Sequence, residues 1–555
     1  MNLKTCVLSL GIFFTALFIH FRALSEEVTG KPRLVARELS CGPTHPGVIE
    51  ETIRFSFDRR RVAYFAREAG KIMAVVDGKQ GRLYDDVLKP CIIFSPDNSR
   101  FAYGAIHNKK HYMVINDVEG KAYGMVVLPS FSADSKRMAY VAASEEKAFT
   151  VMDGVEGKAY EGFASINFSG KENDLWCWAK QADKWLLVKN AIEIASFDNA
   201  TASVSQSSDL NHIAFVGIRG DKFIAIIDCK EGKAHDGMRE EVLFSADGSR
   251  TVYGAINGGK QFAVVDGIAG KEYESMGRFQ FSPDGKRLAY RARKNGKEIV
   301  VVDGVEGKPY EKISMVELNY EPTLLSEDGI VVAYTAFQDG KWMTVIDGVE
   351  GPLYEYVNVY FAPKGHRTIS VMGDDNGLFV VEKAVKSKPY KDVYIIYFSA
   401  DGSRYGFNGK EDEKEITVLD GVEDKTYSEH TEFKFSPDGK RVGKYRARGK
   451  KRYLDLDGVE SKEYDRIDRV TFSPDCKRCA FAATTDEKRR IVFDGLESST
   501  FDGFMEFQFP KDAGPGPFKY PFSDNPIVFD GPNKLHTLIK RGNEFIRLEL
   551  EIVAP

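Results

Sequence analysis

The chain has 555 residues, and its 77 Lys and Arg against 82 Asp and Glu give a formal charge of −5. That balance excludes a generally basic nucleic-acid binder, which needs a surplus of cations to meet phosphate. Hydrophobic residues at 43% and charged residues at 29% exclude a disordered chain, and the length calls for more than one cooperative core.

The N-terminus has one early cation, Lys4, followed by an apolar stretch from Cys6 to Ile19. That stretch is shorter than the roughly 20 residues needed to span a bilayer. Ala23-Leu24-Ser25 then offers a small-x-small cleavage pattern before Glu26. The expectation is a signal peptide over 1–25 and an exported chain, periplasmic or extracellular, with no integral membrane domain after cleavage. Residues 26–50 form an N-terminal segment that includes a possible ring-closing strand, Arg33–Leu39.

From residue 51 onward the chain repeats itself. Phe94-Ser-Pro-Asp-Asn-Ser-Arg-Phe-Ala-Tyr103, Phe281-Ser-Pro-Asp-Gly-Lys-Arg-Leu-Ala-Tyr290 and Phe435-Ser-Pro-Asp-Gly-Lys-Arg-Val442 share one pattern. Anchored on the Phe position, twelve units begin at 55, 94, 131, 168, 206, 244, 281, 325, 361, 398, 435 and 472. Twenty-two residues after each anchor stands Asp77, Asn116, Asp153, Asn190, Asp228, Asp266, Asp303, Asp347, Lys383, Asp420, Asp457 or Asp494. Twenty-nine residues after it stands Tyr84, Tyr123, Tyr160, Phe197, His235, Tyr273, Tyr310, Tyr354, Tyr390, Tyr427, Tyr464 or Phe501. The substitution of Tyr by Phe or His at this last position predicts that the ring matters there and the hydroxyl little.

Each unit reads as four strands. One runs into the anchor, a Ser-Pro-Asp-Gly turn leads to a second, a loop leads to a third, and Asp-Gly opens a turn to a fourth that starts near the aromatic. A four-stranded antiparallel unit cannot bury both faces alone, and radial stacking does so with few exposed edges. The fold class is all-β: tandem β-propellers of about 13 four-stranded antiparallel blades, seven plus six or seven.

The Phe-Ser-Pro-Asp-Gly-Lys-Arg-x-Ala-Tyr signature resembles the WD40-like (PD40) repeat of TolB-type β-propellers, over roughly residues 50–508. That resemblance implies an exported protein acting through protein contacts in the bacterial envelope. TolB also has an α/β domain ahead of its propeller, and the short stretch between Ser25 and the first unit has no room for one.

Most anchors are 36–39 residues apart, but Phe281 and Leu325 are 44 apart, which puts extra residues in Met315–Pro322. The expected division is a first propeller over 51–316 and a second over 317–555. The tail supplies a last blade short of one outer strand, to be filled by Arg33–Leu39 or by Met315–Tyr320. A short stretch, Phe509–Asp524, would add a reduced blade.

No GxSxG elbow, HExxH, P-loop or usable GxGxxG occurs. The lone CxxC, Cys476 and Cys479, stands where sister units carry Gly and Leu or Val, so it reads as repeat sequence and not as a redox or zinc site. Asp-Gly-x-Glu-Gly-Lys reads as a hairpin turn in preference to a calcium loop. Lys444, Arg446, Arg448, Lys450, Lys451 and Arg452 are the densest cationic stretch, read as a solvated hairpin or an anion-facing surface. Trp176, Trp178 and Trp185 are read as core filling or as a recognition surface. No catalytic, cofactor-binding or metal-ligating residue is assigned, no cofactor is expected, and the binding residues are left open. The leading reading is a non-catalytic binding or scaffolding module for a protein or glycan partner. The alternative is an extracellular or periplasmic hydrolase or lyase with a site in a propeller channel.

Overall fold

The computed structural model describes residues 32–554 apart from 89–91, 170–172, 210, 319–320, 413, 425–432 and 505–524. The signal segment 1–25 and the stretch Phe509–Asp524 lie outside the described residues.

The seventh unit shows how the sequence makes a blade. Ser275–Phe281, Leu288–Lys294, Lys297–Val302 and Val305–Glu306 form an antiparallel sheet in chain order. The first turn closes because Ser282 Oγ donates to Asp284 Oδ1 at 2.6 Å and Gly285 takes a φ of +71°. At the second turn Asp303 and Gly304 both have positive φ, +52° and +78°. That is the geometry of a tight two-residue hairpin, so pairing resumes at once with Val302 opposite Val305. The fourth strand therefore begins right after the turn, and not near the aromatic as expected. Tyr310 lies at its far end, bridged to Glu298 on the third strand.

Thirteen such blades are arranged as a propeller. The twelve repeat units make blades 1–12, and Gly503–Phe504, Val528–Gly531, Lys534–Arg541 and Glu544–Val553 make blade 13. The outer strand of blade 13 comes from the other end of the chain: Arg33–Pro43 pairs antiparallel with Glu544–Val553, from Arg33 opposite Val553 to Leu39 opposite Arg547. Among the described residues the one helical turn is Glu50–Thr52.

The core sits between blades. Ala63, Phe65, Tyr84, Phe94 and Tyr103 join blade 1 to blade 2, and Trp178, Leu187, Phe197 and Phe215 join blade 4 to blade 5. Blade 13 packs on blade 1 through Cys41, Phe55, Tyr64, Leu538 and Phe545. Blade 7 packs on blade 8 in the same way, through Tyr310, Ile313, Leu325 and Tyr334. The boundary expected between 316 and 317 falls inside Lys312–Leu318, the inner strand of blade 8. The extra residues there fold back as a hairpin, Val316 opposite Thr323, and Glu317 makes one parallel pair with Tyr360. Blades 8 and 9 thereby share one nine-stranded sheet.

Candidate functional site

The repeat motif is consumed by two polar braces that recur at many of the contacts between one blade and the next. The first uses the Arg six residues after the anchor. Arg250 Nε donates to Asp266 Oδ2 at 3.0 Å, its Nη1 reaches the Gly285 and Lys286 carbonyls of the following blade, and its guanidinium lies 5.3 Å from the Phe281 ring. Arg61, Arg404 and Arg441 do the same in blades 1, 10 and 11. The other carboxylate oxygen of the Asp accepts a backbone N–H, as from Leu288 to Asp303 at 2.8 Å. The Asp-Gly acid is thus a structural acceptor.

The second brace uses the aromatic. Tyr310 is buried at 1% exposure, and its hydroxyl donates to Glu350 Oε1 of blade 8 at 2.9 Å, beside Lys308 Nζ at 2.7 Å. Tyr123 with Glu156, Tyr160 with Glu193, Tyr273 with Glu306, Tyr390 with Glu423 and Tyr464 with Glu497 repeat it. Burial and the facing carboxylate push the Tyr310 phenol far up, so it stays a donor. The hydroxyl does matter here, which the Phe and His substitutions had concealed.

Other features singled out in the sequence resolve as packing. Trp178 is fully buried against Phe197 and Phe215, each ring 5.8 Å away, and Trp176 is buried beside them. Those two fill a core, and Trp185 is half-buried on its edge. Cys476 and Cys479 are buried free thiols; Cys476 occupies a Gly position at φ +60°, and burial pushes the Cys479 thiol up to about 12. A thiol held so far from its thiolate is a poor nucleophile. Four of the six residues of the basic stretch are ion-paired: Lys444 and Arg446 meet Asp424, Arg448 meets Glu460 and Glu463, and Lys451 meets Asp465. Arg446 is buried, while Arg448 and Lys450 at the hairpin tip are exposed. Among the described residues no three His, Cys, Asp or Glu side chains gather as a metal site.

What the braces leave over lies on the face that carries both turns. The residue after the second turn, at the Asp-Gly address, is exposed and apolar in nine blades: Val118, Val155, Ile192, Ile268, Val305, Val349, Val385, Val422 and Val459, each 66–74% exposed. A strand opening favours β-branched residues, but Thr would satisfy that preference equally. None of the twelve units has Thr there; the other three carry Lys79, Lys230 and Leu496.

A cavity of about 530 Å³ opens on the same face between blades 8 and 9. Thr344, Ile346 and Pro352 line it from blade 8, and Met372, Val381 and Ala384 from blade 9. Its charged lining is Lys364, His366, Arg367 and Lys383, with no carboxylate. Here blade 9 inverts the repeat. Lys364 replaces the Asp of Ser-Pro-Asp-Gly, and Lys383-Ala384 replaces Asp-Gly. Both turn residues keep positive φ, +46° and +68°, where neither side chain is at ease; the cost is about 1–2 kcal/mol per residue. Arg367 has moved to Glu382, Nε to Oε1 at 2.7 Å, and His366 pairs with Asp328 at 3.0 Å. Lys364 and Lys383 are exposed and make no ion pair among the described residues.

No family model and no curated protein matches the chain. Solved structures align at low similarity. A eukaryotic initiation factor is 11% identical with a TM-score of 0.28, covering 67% of this chain and 96% of that one. The Cps50 (Swd1) β-propeller domain of Myceliophteria thermophila is 10% identical with a TM-score of 0.21, covering 50% and 100%. The Dos1 propeller is 11% identical with a TM-score of 0.24, covering 55% and 90%. The fold assignment rests on the chain's own sheets: it is a thirteen-bladed β-propeller.

Proposed function

We propose that the chain is an exported, non-catalytic binding or scaffolding module whose turn-bearing face engages a protein partner. The observation that carries this reading is the arc of nine exposed Val and Ile residues, one per blade, which the interblade cores do not use. A lone exposed apolar residue needs no explanation; the support here is that one recurs at the same position in nine blades. An arc spread over blades 2–4 and 6–11 suits an extended protein surface better than a compact ligand. Export is supported by Lys4, the apolar stretch Cys6–Ile19 and Ala23-Leu24-Ser25, and by the resemblance to TolB-type propellers. Among the described residues no helix is long and apolar enough to cross a membrane.

The test is cross-linking in intact producing cells, comparing wild type with a Val305→Glu, Val349→Glu, Val422→Glu variant. The expected result is a cross-linked partner that the variant loses while its thermal unfolding is unchanged, in a fraction where the mature N-terminus lies near Glu26. An identical partner set for both proteins overturns the docking face, and a cytosolic, uncleaved chain overturns export.

A further inference from the structure

We infer that the cavity between blades 8 and 9 is an anion-recognition pocket, and that it takes an acidic side chain flanked by an apolar residue on a partner protein. The inference rests on the binding-module reading and assigns that face its charged contact.

Four observations converge. Among twelve units, blade 9 is where both turn acids give way to lysine, and the two lysines, 19 residues apart in sequence, line one cavity. Neither makes an ion pair among the described residues, although the corresponding acids of sister blades are held by Ser, Arg or backbone N–H groups. Arg367, held by Glu382, and His366, held by Asp328, line the same wall, so the two lysines are the basic groups of the lining left without an ion-pair partner among the described residues. The volume of about 530 Å³ lies within the range of ligand clefts.

The lining also selects what bears the anion. Ile346, Pro352, Met372 and Val381 lie among the cations, so a bare phosphate would leave an apolar wall in contact with water. A carboxylate beside an apolar side chain satisfies both. Val385, 74% exposed, directly follows the lining residue Ala384, and Val349, 71% exposed, stands three residues before Pro352, so two members of the apolar arc are close in sequence to the pocket lining. Lysine suits this role because its ammonium attracts a carboxylate as a point charge without demanding a fixed planar geometry.

The test variant returns blade 9 to the repeat: Lys364→Asp with Lys383→Asp. Asp tolerates positive φ better than Lys, and it restores an acceptor for the Thr368 N–H, so folding should be kept and thermal unfolding unchanged or raised. A fluorescein-labelled Leu-Glu-Leu-Glu-Leu peptide and its Gln counterpart are titrated by anisotropy against wild type and variant. The expected result is that wild type prefers the Glu peptide at least tenfold, that salt weakens this binding, and that the variant loses it at least tenfold. Equal affinity of both proteins for the Glu peptide, or equal affinity of wild type for both peptides, overturns the inference. Tight binding of inorganic phosphate without binding of the Glu peptide overturns it in favour of a phosphate site. If the variant unfolds early, Lys364→Ala with Lys383→Ala replaces it, with the same tenfold loss expected. Failure of the peptide to bind while the Val→Glu variant still loses its cross-linked partner removes the pocket and leaves the docking face. Peptide binding without any cross-linked partner does the reverse.

Discussion

The contact between blades 7 and 8 and that between blades 5 and 6 share one backbone plan and differ in chemistry. At 7 and 8, Arg287 reaches Asp303 and the Gly329 and Ile330 carbonyls, while Tyr310 and Lys308 meet Glu350. At 5 and 6, His212 stands in the arginine's place, 2.7 Å from Asp228, with its ring stacked on Phe244. His235 stands in the tyrosine's place, packed edge-on against Tyr253 and Phe262, and Ala269 stands where Glu350 would be. Donor and acceptor have gone together. The contact holds without that pair, by the packing of Ala214, Val242, Tyr253, Phe262 and their neighbours, so the Tyr–Glu brace adds to a core that already joins the blades.

If the ring is the larger share of the brace, Tyr310→Ala is the most damaging single change at the 7 and 8 contact. Truncating a buried aromatic costs about 3–5 kcal/mol. Denaturant unfolding should show a loss of that size, and a loss below about 1 kcal/mol would mean that Ala336 and Val345 collapse into the space. Arg287→Ala comes next. It removes an ion pair with an Asp side chain 44% exposed, plus two bonds to carbonyls, and solvent screening discounts the pair to about 1 kcal/mol or less. With the carbonyls also losing a donor, about 1–2 kcal/mol is expected in the same assay. No change would show that the guanidinium serves only the turn's geometry.

Tyr310→Phe isolates the hydroxyl. Glu350 keeps Lys308 as a partner and its side chain is 35% exposed, so the loss should be about 0.5–1.5 kcal/mol. The converse substitution at blade 5, His235→Tyr, adds a hydroxyl with no acceptor at Ala269 and should gain nothing until Ala269→Glu accompanies it. A gain from His235→Tyr alone would sink the claim that the two positions act as a pair.

The blade frame was legible because a fixed offset leaves little freedom: anchor, Asp-Gly and aromatic recur at 0, 22 and 29, and alternation does the rest. The fourth strand's start was misplaced because the eye follows Tyr310, while the hairpin geometry of Asp303-Gly304 decides where pairing resumes. The braces were hidden for a different reason. Tyr160 and Glu193 lie 33 residues apart in consecutive units, so the pairing belongs to the stack and to neither unit alone. The joint loss of Tyr and Glu at His235 and Ala269 was the readable trace of it. Lys383 was visible as an exception to the Asp column, but its meaning depends on Lys364 sharing a cavity with it across the turn face. The pairing of Lys444 and Arg446 in the cationic stretch at 444–452 was equally hidden, since Asp424, which meets both, lies on a different strand.

The two contacts should also part company with pH, by the smallest of the expected effects. Burial lowers the His235 pKa below its ordinary 6.5, and neither ring nitrogen has a hydrogen bond of normal geometry. The unfolded chain then binds a proton more readily than the folded one, so this residue's contribution is present above about pH 6.5 and is lost as pH falls below it. The 7 and 8 contact depends instead on Glu350, whose carboxyl Lys308 and Tyr310 hold below 4.5; its contribution persists until pH falls below that value. Between pH 6.5 and 4.5 the 5 and 6 contact therefore weakens while the 7 and 8 contact does not. The variant His235→Phe carries the ring that Phe197 and Phe501 place at the same position, and it cannot titrate. Thermal unfolding of wild type should drop between pH 7 and 5 by more than that of His235→Phe, and the two proteins should converge in slope below pH 4.5, where the carboxylates protonate in both. Parallel curves across the whole range would mean that His235 is protonated as easily in the blade as in water, and that ring packing alone does not describe its place.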